Sequence, residues 1–441
     1  MKQFDLLIIG FGKAGKTLAK TAATNGKTVA VIEQSKKMYG GTCINIGCIP
    51  SKVLVHDGEL NQSFNEAFKR KQDVVDALNK KNYDNLATEE NIEVIDGKAL
   101  FKSNDEIEVF DENNQLIDTF TSEHIVINTG ATPVIPNIDG VKTSKRLYDS
   151  EGIMELQKQP KRLVIVGGRY IALEFASIFN NLGTDVTVLE KGDTLMPKED
   201  KEIKDTIISD LSESGIQFIT DVKTERFEDN EDYTTVHTTK GEFNADAVLL
   251  ATGREPNIDL GLENTDIKLT DKNEIKVDEY LNTTVNHIYA VGDVKGGMQF
   301  TYISLDDFRI VKDAIYGNKN RSTKNRGAIP YSVFIDPPLS RVGITAEEAL
   351  ENNKNIKEGK LPVNSIPRHK INNDDRGLFK VVVDKDTNEI LGASLYGKES
   401  EELINLIKLA IDENISYDTL RDNIYTHPTM AESFNNLFDV D

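Results

Sequence analysis

The two cysteines of the chain, Cys43 and Cys48, lie in the glycine-containing segment 40–52. Two thiols separated by four residues can close a small disulfide ring if the chain turns between them. A thiol at the start of a helix is stabilised as a thiolate by backbone amides and by nearby cations such as Lys52. One close pair in a cytosolic chain indicates redox or metal chemistry more often than structure. Two buried free cysteines are the alternative, and the flanking glycines argue against it.

The cysteine count also limits metal binding. An all-thiolate zinc site needs twice as many cysteines, and no histidine pair at ligand spacing lies beside these two. The sequence therefore predicts no metal site.

A glycine-rich turn follows the apolar run 4–9, and a helical run follows the turn. Its glycines allow a tight turn, a close approach of backbone to a pyrophosphate, and packing of the helix on the strand. An acidic residue ends the next apolar run, where its carboxylate can accept hydrogen bonds from a ribose. A purely structural glycine turn is the alternative. The pattern favours a dinucleotide site that contains Gly10, Gly12, Gly15 and Glu33.

A second strand–turn–helix pattern contains Gly167 and Gly168, and Glu190 ends its next apolar run. Arg169 takes the place of the central glycine, where a bound pyrophosphate normally leaves no room for a side chain. Arginine could pair with a phosphate or fill the space, and sterics favour the second outcome. We therefore expect weakened nicotinamide nucleotide binding. Glu190 favours NADH over NADPH, although Lys191 beside it keeps NADPH possible.

The composition excludes several function classes. The chain has 441 residues, with 52 Lys and Arg against 73 Asp and Glu, and a formal charge of −21. This acidity argues against a nucleic-acid or anionic-membrane partner. No apolar run approaches the ~20 residues that span a bilayer. The N-terminal apolar run leads directly into the glycine turn, which indicates a strand rather than an export signal. We expect a cytoplasmic protein.

The cysteine motif resembles that of the class I flavoprotein disulfide reductases, and the similarity covers the whole chain. Thr129-Gly130 and Gly253 lie in segments similar to the two ATG turns of that family, and Asp293 lies in a segment similar to its second FAD motif. The resemblance implies FAD and NADH as cofactors, with NADPH possible, and a homodimer.

The resemblance and the repeated strand–turn–helix pattern together predict an α/β protein. It would contain two doubly wound dinucleotide-binding domains and a C-terminal α+β dimerisation domain. We expect the FAD domain to comprise residues 1–150 and 273–325, the NAD(P) domain residues 151–272, and the dimerisation domain residues 326–441.

The resemblance also implies roles for individual side chains. Cys43 would be the interchange thiol that meets the substrate, and Cys48 the charge-transfer thiolate against the flavin. His427 would be the acid/base that reaches Cys43 of the partner subunit, with Glu432 orienting its ring; an imidazole titrates near neutrality, which suits this role. Lys52 and Glu174 match the pair near the flavin. The implied cofactor-binding residues are Gly10, Gly12, Gly15, Glu33, Gly41, Thr42, Lys52, Thr129, Gly130 and Asp293 for FAD, and Gly167, Gly168, Tyr170 (the aromatic gate over the nicotinamide pocket), Glu190 and Gly253 for the nicotinamide nucleotide.

The absence of a third cysteine narrows the choice within the family. Mercuric reductases and large thioredoxin reductases carry additional C-terminal redox groups, so here the substrate must come to Cys43 directly. Segments 299–309 and 329–334 most resemble bacterial hypothiocyanous acid reductases, which are similar to the reactive-chlorine-resistance flavoproteins and are often labelled mercuric-reductase-like. The sequence therefore predicts an oxidant-defence reductase. It would pass electrons from NAD(P)H through FAD and the Cys43–Cys48 disulfide to a small oxidant with electrophilic sulfur.

Three other functions stay open. The chain could be a dihydrolipoamide dehydrogenase or another reductase of a low-molecular-weight disulfide such as oxidised glutathione. It could reduce copper or mercury ions, which soft thiolates attack. It could also be a flavin-bound redox sensor that Arg169 makes inactive with NADH.

Overall fold

The computed structural model describes residues 1–440. The chain forms two compact units. The first unit comprises Met1–Val53, Phe68–Ile135 and Thr252–Arg326, and the second comprises Leu54–Ala67, Pro136–Ala251 and the residues from Gly327 onward.

Strands alternate with helices around each glycine turn, and consecutive strands without an α-helix between them occupy residues 92–166 and 217–290. The strands are β1 (Lys2–Ile9), β2 (Val29–Glu33), β3 (Ile92–Asp96), β4 (Lys98–Phe101), β5 (Glu106–Phe110), β6 (Leu116–Ile127), β7 (Ala131–Pro133), β8 (Leu147–Tyr148), β9 (Arg162–Val166), β10 (Asp185–Leu189), β11 (Gln217–Ile219), β12 (Thr224–Asp229), β13 (Thr234–Thr238), β14 (Gly241–Ala245), β15 (Ala247–Leu250), β16 (Arg254–Pro256), β17 (Ile288–Ala290), β18 (Tyr331–Val333), β19 (Leu339–Gly343), β20 (Ile356–Pro362), β21 (Leu378–Asp384) and β22 (Ile390–Tyr396). The α-helices are α1 (Lys13–Thr24), α2 (Thr42–Asn45), α3 (Cys48–Glu59), α4 (Phe64–Ala87), α5 (Tyr170–Asn181), α6 (Lys201–Glu213), α7 (Thr301–Tyr316), α8 (Ala346–Glu351), α9 (Arg368–Asn372), α10 (Ser400–Asp412), α11 (Tyr417–Asp422) and α12 (Phe434–Leu437).

The first unit is built on one sheet with the order β3-β2-β1-β6-β5-β4, and β17 pairs with β6. Strands β1, β2, β3 and β17 run parallel to their neighbours, whereas β4, β5 and β6 form an antiparallel meander. Both faces of β1 are buried: Leu6 and Ile8 belong to one apolar cluster, and Leu7 and Ile9 to another. A strand buried on both faces reads as a continuous apolar run, as the sequence around residues 4–9 does.

The second unit contains a parallel sheet with the order β11-β10-β9-β15-β8 and a three-stranded antiparallel sheet of β12, β13 and β14. Its C-terminal part contains an antiparallel sheet with the order β18-β19-β22-β21-β20. Helix α10 packs against β19 and β22 of that sheet. The predicted fold class is confirmed. Each unit contains a sheet with parallel strands beside a glycine turn, and an α+β part lies at the C-terminal end of the second unit. The predicted limits of the three domains stay a prediction.

A half-buried ion-pair network stabilises the C-terminal part. Asp336 accepts hydrogen bonds from Lys398 Nζ at 2.8 Å and from Arg376 Nη2 at 3.0 Å. Arg376 also donates to Asp374 at 2.7 Å. Burial alone would raise the pKa of Asp336, but Lys398 and Arg376 outweigh burial and hold that pKa below its ordinary value.

We expect Asp336→Asn to lower the unfolding temperature at pH 7, because it removes a charged acceptor worth about 2 kcal/mol. A carboxylate with a lowered folded-state pKa stabilises the protein above its unfolded pKa, and this contribution is lost as the pH falls through the folded value. The deficit of the variant should therefore shrink as the pH is lowered from 7 towards 3. Thermal unfolding at several pH values measures it, with exposed Asp232→Asn as the control. An equal deficit at every pH would contradict the assignment.

Candidate functional site

The first glycine turn is packed against Asn128, at the end of β6. Gly10 has φ +98°, and a Cβ atom there would lie 2.5 Å from the carbonyl oxygen of Asn128. A Cβ atom at Gly12 would lie 2.5 Å from Oδ1 of Asn128, and one at Gly15 would lie 2.6 Å from Cγ2 of Ile8. Contacts within the chain therefore require all three glycines, and these contacts leave the N-terminus of α1 uncovered by side chains from the turn.

Asn128 is a residue that the sequence reasoning missed. Its side chain is buried, accepts a hydrogen bond from the backbone N–H of Gly15 at 2.8 Å and donates one to the carbonyl oxygen of Val291 at 3.1 Å. It therefore links the glycine turn to the segment that contains Asp293. The sequence carries only a weak signal for it, an asparagine directly after the apolar run of β6.

Two further backbone segments, Gly41–Thr42 and Thr129–Gly130, meet at this turn. A Cβ atom at Gly41, which has φ +82°, would lie 2.8 Å from Cα of Gly12, and one at Gly130 would lie 3.9 Å from Oγ1 of Thr42. Glycine at positions 12 and 41 thus permits a backbone contact that a side chain would block. The structure brings together the predicted FAD residues Gly10, Gly12, Gly15, Gly41, Thr42 and Gly130, and Thr129 anchors the same segment by donating from Oγ1 to the carbonyl oxygen of Asn257 at 2.7 Å.

Two predicted carboxylates flank this cradle. Glu33 is buried at the end of β2 and accepts hydrogen bonds from the N–H groups of Phe11 and Ser35, both at 3.0 Å. Burial raises the pKa of Glu33 and outweighs these hydrogen bonds. Burial likewise raises the pKa of Asp293, against the opposing charges of Arg254 and Lys295. A glycine-lined cradle with a helix N-terminus and carboxylates at its edge fits the phosphates and hydroxyl groups of FAD.

The two cysteines are in contact. Cys43 lies in α2, Cys48 begins α3, and both are free thiols. The hydrogen bond with Cys48 and burial raise the pKa of Cys43. Cys48 is exposed and its Sγ lies 3.5 Å from Oγ1 of Thr301, the first residue of α7. The role of Cys48 as the thiolate against the flavin stays a prediction. The sequence reasoning missed Thr301.

The predicted pair of Lys52 and Glu174 is divided between the units. Lys52 follows Cys48 on α3 in the first unit, and Glu174 lies on α5 in the second, where it accepts a hydrogen bond from the backbone N–H of Phe334 at 2.9 Å. Their pairing stays a prediction.

The second glycine turn lies between β9 and α5. A Cβ atom at Gly167, which has φ +120°, would lie 2.4 Å from the carbonyl oxygen of Ala251, and one at Gly168 would lie 2.4 Å from Cδ2 of Leu195. Glu190 accepts a hydrogen bond from the backbone N–H of Gly192 at 2.7 Å. Predicted residue Gly253 belongs to the first unit and directly precedes β16, and its carbonyl oxygen accepts a hydrogen bond from the backbone N–H of Val134 at 3.0 Å.

Arg169 occupies the N-cap position of α5 and makes no side-chain capping hydrogen bond. Its backbone has φ −95° and ψ −177°, an extended conformation that any residue adopts, so the fold itself does not require glycine here. The side chain is exposed, and among residues 1–440 no side chain or carbonyl group forms a hydrogen bond or an ion pair with its guanidinium. An unpaired cation therefore stands at the turn where a dinucleotide phosphate would bind.

Tyr170, the predicted gate, is held by residues that the sequence reasoning missed. Its hydroxyl donates to Oε1 of Glu199 at 2.6 Å, and the hydroxyl of Tyr331 donates to the same oxygen at 2.5 Å. The two rings lie 5.7 Å apart. Burial and the charge of Glu199 raise the pKa of Tyr170, so it stays a neutral phenol.

His427 and Glu432 form the predicted pair within the second unit. Nδ1 of His427 lies 2.7 Å from Oε2 of Glu432. The imidazole is 72% exposed and the carboxylate 18% exposed, so the ring is oriented at one nitrogen and accessible at the other. Its approach to Cys43 of the partner subunit stays a prediction.

No group of three or more His, Cys, Asp and Glu side chains among residues 1–440 is arranged to hold a metal ion. No helix formed by these residues is both long and apolar enough to cross a membrane.

Comparisons with known proteins decide the family. Residues 4–307 match the model of the pyridine nucleotide-disulphide oxidoreductases, and residues 329–438 match the model of the dimerisation domain of these enzymes. The chain belongs to the pyridine nucleotide-disulphide oxidoreductases. Members of this family use FAD and NAD(P)H. The predicted family, the enzyme class and the cofactors are therefore confirmed. The dimerisation domain supports the predicted homodimer.

Relatives of this chain include oxidoreductases with different names. The chain is 48% identical to the probable pyridine nucleotide-disulfide oxidoreductase RclA of Escherichia coli, over 100% of both chains. It is 34% identical to a mercuric reductase of Staphylococcus aureus, over 97% of this chain and 81% of that one. A solved Cu(II) complex of the HOCl-induced flavoprotein disulfide reductase RclA from Escherichia coli matches with a TM-score of 0.97 and 47% identity, over 99% of each chain.

We expect Asn128→Ala to bind FAD more weakly and to lower stability. The change leaves a buried N–H and a buried carbonyl group without partners, which costs about 1–3 kcal/mol, and it loosens the turn at the N-terminus of α1. FAD content and the dissociation constant of FAD measure the effect. Asn25→Ala, at the far end of α1, is the control and should bind FAD normally. Unchanged FAD affinity in Asn128→Ala would contradict this role.

We expect Arg169→Gly to be reduced faster than the unchanged protein at low NADH concentration, because the arginine occupies space near the phosphates of the nucleotide. The rate at saturating NADH and the FAD content should stay unchanged. Anaerobic stopped-flow reduction over a range of NADH concentrations measures this. Identical reduction of both proteins, or slower reduction of the variant, shows that the arginine does not obstruct the nucleotide.

Proposed function

We propose that this chain reduces a small oxidant with electrophilic sulfur, most specifically hypothiocyanous acid, at the expense of NAD(P)H. The observation that carries the proposal is the contact between Cys43 and Cys48 in a chain with no third cysteine. Without a relay thiol, the substrate must reach this pair itself, which suits a small molecule. The 48% identity to RclA, described as an HOCl-induced reductase, supports a role in oxidant defence.

The two thiols are the groups that react with the substrate. FAD, which the glycine turn of Gly10, Gly12 and Gly15 would hold, would supply the transfer of two electrons from NAD(P)H to the Cys43–Cys48 disulfide. The Cys43 thiolate then attacks the sulfur of hypothiocyanous acid, a Cys43–sulfur bond forms, and the sulfur–oxygen bond breaks. The oxygen leaves as water after it takes up a proton. The Cys48 thiolate attacks Cys43, displaces thiocyanate and restores the disulfide.

His427 is suited to supply the proton. Glu432 binds its Nδ1, so the other ring nitrogen can carry or release a proton while the ring keeps its orientation. In the proposed homodimer, this nitrogen supplies the proton for the reaction at Cys43 of the partner subunit. The complete reaction converts NADH and hypothiocyanous acid into NAD⁺, thiocyanate and water, and it is balanced in atoms and charge.

The nucleotide preference belongs to the proposal as well. Glu190 lies at the end of β10, where a carboxylate repels the 2′-phosphate of NADPH, so we propose NADH as the better donor. The neighbouring cations Arg169 and Lys191 oppose this preference, so NADPH is a weaker donor rather than an excluded one.

We expect Cys43→Ser to lose NADH-dependent consumption of hypothiocyanous acid while it keeps the direct reduction of ferricyanide by the reduced flavin. The substitution removes the nucleophile and leaves the nucleotide and flavin sites unchanged. Steady-state assays of both acceptors measure the two activities, and the ferricyanide rate is the control for folding and cofactor content. Consumption of hypothiocyanous acid at the unchanged rate would rule out the proposed chemistry.

Reduction of Cu(II) is the second candidate, because the similar RclA structure is a Cu(II) complex. A soft thiolate pair can bind and reduce such an ion. Comparison of Cu(II), hypothiocyanous acid, oxidised glutathione and lipoamide as acceptors under the same conditions separates the metal-ion, oxidant and disulfide functions. A protein whose flavin is not reduced even by saturating NADH would instead be the redox sensor.

A further inference from the structure

The side chain of Lys16 on α1 extends to the turn that precedes Cys43. Its Nζ donates to the carbonyl oxygen of Gly40 at 3.0 Å and to Oδ1 of Asn82 on α4 at 2.6 Å. Gly40 and Gly41 have φ values of +98° and +82°. Lys16 therefore binds the left-handed turn from which α2, with Cys43, begins.

Asparagines of α4 hold the same turn. Asn79 donates to Oδ1 of Asn45 at 2.9 Å, and Asn45 donates to the carbonyl oxygen of Gly41 at 2.9 Å. Asn82 itself donates to the carbonyl oxygen of Leu78 at 2.7 Å, which fixes its amide with Oδ1 towards Lys16. The position of the ammonium group is therefore set by α1, α4 and the turn together.

The charge of Lys16 has no acidic partner among residues 1–440. Both of its hydrogen-bond acceptors are neutral oxygens. Lys20, one turn further along α1, differs in that it is exposed and forms an ion pair with Glu89. Burial, together with repulsion from Lys13, lowers the pKa of Lys16 to about 8. A partly buried cation without a carboxylate is costly unless another negative charge compensates it.

Cys43, which follows the turn that Lys16 binds, can provide a negative charge for Lys16 when its thiol ionises. Ionisation of Cys43 raises the pKa of Lys16, and Lys16 in turn lowers the pKa of Cys43. This effect opposes the hydrogen bond with Cys48 and the burial that raise the pKa of Cys43. Thr301 also acts on the Cys43 thiol, and its hydrogen bond lowers the pKa of Cys43 as Lys16 does.

We propose that Lys16 is the positioning residue that holds the Gly40–Cys43 turn and provides the counter-charge for the Cys43 thiolate. It touches neither substrate nor flavin in this role and acts through Cys43. The inference rests on the proposed function in one respect, that Cys43 is the thiol that attacks the substrate. It adds the source of the positive charge that lets Cys43 ionise beside Cys48 and carry out that attack.

The experiment follows the alkylation of a single thiol in the FAD-loaded protein. Because the chain has two cysteines, Cys48→Ser leaves Cys43 as the sole target. The rate of iodoacetamide modification between pH 5 and 10 gives the ionisation midpoint of Cys43. We expect Lys16→Gln in this background to raise the midpoint by about one unit and to slow alkylation at pH 7 by up to about tenfold.

Three controls accompany the variant. Lys16→Arg keeps the charge and should restore most of the alkylation rate, whereas Lys20→Gln removes an exposed, paired charge from the same helix and should change nothing. In the reverse background, Cys43→Ser, Lys16→Gln should shift the midpoint of Cys48 less than it shifts that of Cys43. FAD content and circular dichroism of each variant report folding, and Asn82→Ala, which frees the ammonium group, should give an intermediate shift.

The outcomes separate the two proposals. An unchanged Cys43 midpoint in Lys16→Gln overturns the inference, and so does loss of FAD binding without a change in the midpoint, which would assign the cation to the cofactor phosphates. A raised midpoint in a protein that does not consume hypothiocyanous acid keeps the role of Lys16 and rejects the proposed substrate.

Discussion

The contact between two glycine turns is the constraint on which the first unit depends. A Cβ atom at Gly41 would lie 2.8 Å from Cα of Gly12, so these backbones meet at a distance that any side chain would prevent. Gly12 precedes α1, whose N-terminus is predicted to face a dinucleotide phosphate, and Gly41 precedes the helix that contains Cys43. The cofactor cradle and the thiols are therefore fixed to each other through backbone contact. Electron transfer between groups at short range benefits from such rigid positioning.

Buried amide side chains make this arrangement specific. Asn128 fills the space beneath the first glycine turn, and Asn45 and Asn79 bind the turn at Gly41. Each amide has partners for its buried polar atoms. Any shift of the turns would leave these groups without hydrogen bonds in a region that water does not reach, at a cost of about 1–3 kcal/mol for each. Hydrogen bonding therefore selects one position for the dithiol, where apolar packing would allow several.

The two nucleotide turns show how one pattern serves two purposes. In the first turn, each glycine is required by contacts within the chain. In the second turn the same holds for Gly167 and Gly168, but Arg169 has an ordinary extended backbone and an exposed side chain. The fold therefore accepts arginine without strain. We therefore expect a change at this position to leave the architecture unaltered.

The sequence by itself determined the fold class, both glycine turns, the dithiol and the His427–Glu432 pair. These features are local, because a turn, a spacing or a strand end is set by neighbouring residues. Only the tertiary structure revealed Asn128, Glu199, Tyr331 and the contact of Lys16 with Gly40. Each of these acts on residues at least 24 positions away, as Lys16 does on Gly40. A lone asparagine or lysine has no periodicity or motif, and its role depends on which strands and helices the folded chain brings beside it.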